Sequence, residues 1–193
     1  MNQSDYWTKA IGLPKVMFKD SFDINCLKLQ PISSIDKNNF SEELIDWFSD
    51  SGVYLRNSSS FYRSLFTGNI ASILHRDIRP NGELTVASIN VELVGRGVMY
   101  FYKEIKPKPF YSVYNTEQFT PYIPCVFSDV TLLDTLEFEK EQSYLVRTEE
   151  IHSVLSNTPE RLVLSLRFDT PKGKGSWENI KEILSENNKI DTL

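Results

Sequence analysis

The chain has two histidines, His75 and His152, and one of them stands two positions from a carboxylate in Ser72-Ile73-Leu74-His75-Arg76-Asp77. At a strand end, residues i and i+2 point to the same face. His75 and Asp77 can therefore offer an imidazole nitrogen and a carboxylate oxygen to one ion while Arg76 points away. A third ligand from a distant strand would complete a facial set and leave positions open for a bidentate cosubstrate and dioxygen. Two histidines and one carboxylate in that arrangement favour non-haem Fe(II), and His152 is the only histidine left to supply the third ligand. A His-x-Asp also arises by chance, and a surface histidine beside a turn at Pro80-Asn81-Gly82 is its structural alternative.

Nine residues after His152, Arg161-Leu162-Val163-Leu164-Ser165-Leu166-Arg167-Phe168 alternates more cleanly than any other segment. Arg161, Val163, Ser165 and Arg167 share one face of the predicted strand, with three leucines and Phe168 on the other. One reading is an amphipathic strand whose arginines face water. The other makes Arg161 a carboxylate clamp, since a guanidinium presents two parallel N–H donors and keeps its charge when partly desolvated. Ser165 can add a hydroxyl donor on the same wall.

Strands must position these groups. Runs at 52–56, 61–65, 70–74, 85–94, 98–103, 130–135, 143–148 and 161–168 read as short strands. A helix is predicted over 41–50, with Ser41 as N-cap, Glu42 and Glu43 at its positive end and Gly52 as its stop. A second is predicted over 176–187, with Trp177, Ile180, Ile183 and Leu184 on one stripe. Strands between terminal helices indicate a mainly β fold with flanking helices, a jelly-roll or barrel. The tract from Ile105 to Pro124 holds four prolines among Phe110, Tyr111, Tyr114, Phe119 and Tyr122. It does not suit a central strand, and reads as an aromatic-anchored surface loop or as a lid at the barrel mouth.

The 193 residues suffice for one domain: a β core over about 61–170, N-terminal support from 1–60 and the C-terminal helix. Aromatic residues make up 12% of the chain, which excludes wholesale disorder. A net charge of −5 argues against a generic nucleic-acid surface, because phosphate binding draws on clustered Lys and Arg. Two cysteines, Cys26 and Cys125, make neither a disulfide framework nor a zinc knuckle. With no apolar leader or long apolar run, the expected location is the cytoplasm, with no membrane partner. Gly-x-Ser-x-Gly, a Gly-rich Lys loop and His-Glu-x-x-His are all missing from the sequence.

A His-x-Asp, a distal His and an Arg about one strand beyond occur in this order in the Fe(II)/2-oxoglutarate-dependent dioxygenases, which the chain resembles over roughly residues 70–170. The stretches that carry the resemblance are His75-Arg76-Asp77, the segment 87–93 leading to Met99-Tyr100-Phe101-Tyr102, and 144–148 through His152-Ser153-Val154 to Asn157 and 161–168. They are similar to small hydroxylase-like members near the aspartyl/asparaginyl and prolyl hydroxylases, of phage or marine bacterial type. The resemblance implies a double-stranded β-helix (jelly-roll, cupin-like) core. It implies Fe(II) held by His75, Asp77 and His152, and 2-oxoglutarate held at its distal carboxylate by Arg161. Asn90, Tyr100 and Tyr102 sit where members place cosubstrate or substrate contacts. Some members carry Arg-x-Ser; here Val163 holds the serine's place and the serine comes at Ser165. The implied activity is hydroxylation of a C–H bond of a peptide side chain, amino acid or small metabolite by dioxygen, with release of succinate and carbon dioxide. A cupin-like non-oxidative binding or isomerase domain, or an interaction protein with a vestigial metal site, is the alternative. Oligomeric state is not legible.

Overall fold

The computed structural model describes residues 4–29, 32–64, 74–79, 83–105, 122–124, 129–173 and 175–191. Among these residues, twelve strands form two antiparallel sheets. The larger joins β1 (Trp7–Ala10), β10 (Ser143–Arg147), β6 (Ala87–Val94), β12 (Arg161–Asp169), β4 (Ser58–Ser64) and β2 (Ile32–Asp36) in that order, with β3 (Tyr54–Leu55) against the end of β12. The smaller runs β8 (Tyr122–Pro124), β5 (His75–Asp77), β11 (Ile151–Ser156), β7 (Gly97–Glu104) and β9 (Val130–Glu137). The chain changes sheet between β4 and β5, β5 and β6, β6 and β7, β9 and β10, β10 and β11, and β11 and β12. That repeated crossing gives a jelly-roll-like core. The β6–β7 crossing turns on Gly95, whose φ is +80° and whose added Cβ would stand 2.2 Å from Glu160 O. No L side chain fits there.

At its centre the large sheet is buried on both faces, which is why β12 carries no exposed side (its last residue, Asp169, is half-buried). Leu162, Leu164, Leu166 and Phe168 join Ile89, Val91 and Leu145 in a core with Leu44, Trp47, Phe48, Trp177, Ile180 and Leu184. The last six belong to α1 (Glu42–Asp50) and α2 (Trp177–Glu186), so both helices cover this face. Each helix starts on a serine cap as expected: Ser41 Oγ accepts from Leu44 N and Ser176 Oγ from Asn179 N, both at 3.2 Å. The opposite face meets the small sheet through Tyr144 and Val146 against Met99, Phe101, Leu136 and Phe138.

Strands β1, β2, β5, β8 and β11 were not among the predicted runs. Pro124 lies in β8, at the edge of the small sheet, where a missing N–H is tolerated. The rest of the aromatic tract, 106–121, and the predicted run at 70–73 lie outside the described residues. Among the described residues, no helix is long and apolar enough to cross a membrane.

Candidate metal centre

Pairing of β5 with β11 builds the site. His75 and His152 are register partners in this antiparallel pair, and partners on one face hold their Cβ atoms about 4.5–5.5 Å apart. The two rings have centroids 4.3 Å apart. Asp77, two residues on, shares the face, with its backbone N–H on Thr148 O at 3.1 Å. One ligand atom each from His75, Asp77 and His152 lies within 4.8 Å of the others. His75 Nε2 is 3.6 Å from Asp77 Oδ1. Donors about 2.0–2.2 Å from one ion stand roughly 3–4 Å apart, a spacing that His75 Nε2 and Asp77 Oδ1 already have.

His152 is prepared as a ligand. Its Nδ1 is 2.9 Å from Glu150 O; a carbonyl can only accept, so Nδ1 carries the proton and Nε2 keeps its lone pair for a metal. Burial, helped by the neighbouring His75 and opposed by Asp77, lowers its pKa to about 4. At neutral pH no proton has to leave this ring before it coordinates.

Asp77 is oriented from the opposite sheet. Arg167 Nη2 donates to Asp77 Oδ2 at 3.1 Å and lies 3.4 Å from Tyr62 Oη. With Oδ2 engaged, Oδ1 is the oxygen left facing His75. Two residues along both strands the signs reverse: Arg79 Nη2 meets Asp169 Oδ1 at 2.5 Å, and Arg56 Nη2 reaches the same oxygen at 3.1 Å. Asp77, the last residue of β5, and Arg79 just beyond it thus face Arg167 and Asp169 of β12 as two complementary rungs. Arg167 is buried, and its Nε has no hydrogen-bond partner among the described residues.

The reading of β12 as a strand with water-facing arginines is overturned, since Arg161 and Arg167 are 7% and 6% exposed. Nor is Arg161 an open clamp. Its Nε and Nη2 donate to both oxygens of Glu92, at 2.6 and 2.9 Å. Phe138 lies under the guanidinium, 5.0 Å from the ring centroid. Burial lowers the Arg161 pKa and raises that of Glu92, in each case against the attraction of the partner. Six residues separate Arg161 from Arg167, about 20 Å of strand. Between them, on the same inner face, Ser165 pairs in register with Asn90, whose Oδ1 accepts from Ser88 Oγ at 3.1 Å.

Asn90 and Ser165 therefore belong to the wall that joins the two arginines. Tyr100 and Tyr102 do not. Phe101 is the register partner of His152, so its neighbours point to the other face of β7. Tyr102 Oη there lies 3.4 Å from Ser153 Oγ, and Ser153 alternates with His152. Placing these tyrosines at the site is corrected by that register. Glu92 and the role of Arg167 were missed; for Arg167 the complementary spacing of Asp-x-Arg and Arg-x-Asp was the available signal, and for Glu92 there was none. In comparisons with known proteins, no family model and no curated protein matches the chain.

Proposed function

We propose that the chain is an Fe(II)- and 2-oxoglutarate-dependent oxygenase that hydroxylates a C–H bond of a small molecule or peptide side chain. The observation that carries this reading is the convergence of His75, Asp77 and His152 within 4.8 Å. Two imidazole nitrogens and one carboxylate suit non-haem Fe(II) better than a closed structural site, because they leave coordination positions free. When bound, iron, 2-oxoglutarate and dioxygen supply the oxidising chemistry, with succinate and carbon dioxide as products.

The chain's own residues bind and orient. His152 offers Nε2 without releasing a proton, and Arg167 fixes which oxygen Asp77 presents. The apolar inner face at Met99, Phe101, Tyr144 and Val146 keeps water from one side of the site. Arg161 does not fit a second carboxylate while Glu92 fills its donors, so no step is assigned to it here. That same contact favours a second reading, a non-oxidative cupin-like metal domain, which expects metal binding without cosubstrate.

Succinate release separates the two. With Fe(II), ascorbate and dioxygen, the wild type should convert 2-oxoglutarate slowly even without substrate and faster when candidate substrates are screened, while Asp77→Ala should not. Equal conversion by both proteins would reject the assignment.

A further inference from the structure

We propose that Arg56 and Arg79 form a seat for an oxyanion of the substrate, a carboxylate or phosphate group, beside the metal centre. That the ligand is a substrate rests on the oxygenase reading above; that the seat takes an oxyanion does not.

Backbone contacts build the seat. Arg56 follows β3, and its N–H donates to Arg167 O at 2.8 Å. Arg79 follows β5; its N–H donates to Glu83 O at 2.6 Å, and the Ile78–Leu84 bridge holds the chain beside it. Asp169, which both arginines reach, is fixed by its pairing with Tyr54 of β3. The side chains of Arg56, Arg79 and Asp169 are 16%, 17% and 30% exposed. Both guanidiniums are thus held in place and partly desolvated, yet open to solvent.

Asp169 does not satisfy the two of them. One oxygen, Oδ1, takes Arg56 Nε at 3.2 Å, Arg56 Nη2 at 3.1 Å and Arg79 Nη2 at 2.5 Å, three donors on an atom with two lone pairs. Five N–H groups on each guanidinium leave most of the donors outside this contact. The buried Nε of Arg79 has no hydrogen-bond partner among the described residues. Charge is unbalanced too. Asp77 is engaged by Arg167, so among the described residues Asp169 is the carboxylate that meets both Arg56 and Arg79. Burial first, then the cations Arg79 and Arg167, lower the Arg56 pKa against the pull of Asp169. A clamp between β3 and β12 needs one arginine; the second leaves a half-buried positive charge that an external anion compensates. Two planar forks converging on one point match the oxygens of a carboxylate or phosphate. Arg79 stands two residues past Asp77, about 7 Å of extended chain, a span over which a small molecule held by its anionic end brings its C–H bonds to the metal.

The test titrates the chain, without added metal so that no anion is read as a metal ligand, with acetate and with methyl phosphate at constant ionic strength in chloride. The NMR signals of the arginine Nε–H groups report binding. Those of Arg56 and Arg79 should shift and saturate with at least one of the two anions; tighter acetate marks a carboxylate substrate, tighter methyl phosphate a phosphorylated one. Arg79→Gln should weaken the binding at least about tenfold, the scale of one charged hydrogen-bonding group. Arg79→Lys, which keeps the charge and loses the fork, should weaken it as well if the glutamine variant does not fold. No saturating shift with either anion in the wild type, or unchanged affinity in the folded variant, would overturn the seat. The two readings fail separately: saturable binding without any succinate release keeps an oxyanion seat and removes the oxygenase, whereas succinate release with no saturable shift removes the seat alone.

Discussion

His152 shows how a single residue is shaped by its surroundings: a carbonyl fixes its tautomer and burial keeps it neutral. Replacing it with alanine should abolish metal binding, read as loss of the calorimetric Fe(II) or Zn(II) isotherm. Arg167→Ala should leave a weaker site, by about 10–100-fold, because it removes the group that orients a ligand rather than the ligand. Arg161→Ala should leave metal affinity unchanged. The histidine also sets a pH dependence. Its folded pKa near 4 lies below the ordinary 6.5, so the unfolded chain takes up the proton first as pH falls. The metal-free protein should hold its full stability above about pH 6.5 and lose up to about 3 kcal/mol between 6.5 and 4. Urea melts across that range, compared with His152→Ala, measure the difference. His75, Asp77 and His152 were legible because two histidines leave little choice. The occupant of Arg161 was not, since nothing in a sequence says which of 26 acidic residues faces an inward arginine.

At the scale of elements, β12 is the central strand of the account. Its alternation was visible, but alternation is equally produced by a strand between water and core and by one between two interiors, and only β5 and β11 across from it decide. Those strands were missed for physical reasons: β5 has three residues, too few for a period to show, and β11 reads His-Ser-Val-Leu-Ser with polar groups on its buried inner face. Leu164, 0% exposed between sheet and helices, should cost about 2–5 kcal/mol when truncated to alanine, measured by denaturant unfolding. Gly97→Ala acts on the other face. Its new methyl must push Arg161 from its seat, so the variant should be destabilised by about 1–3 kcal/mol, read by denaturant unfolding.

Across the whole molecule, two helices close the outer face of one sheet while a second sheet closes its inner face, and the metal ligands stand on the second sheet facing the first. Helix caps and apolar stripes made both helices readable within a residue or two, because local chemistry fixes them. Sheet membership was not readable, since pairings such as His75 with His152 join residues far apart in sequence. That pairing makes the fold and the site inseparable: the jelly-roll-like crossing from β10 to β11 to β12 delivers His152, then Arg167, to opposite sides of Asp77. The most direct measurement is an anaerobic titration of the protein with Fe(II) and 2-oxoglutarate, followed by visible absorption. The expected result is a charge-transfer band that saturates at one iron per chain and is lost in His152→Ala; no band in the wild type, or a band of equal strength in His152→Ala, would contradict it.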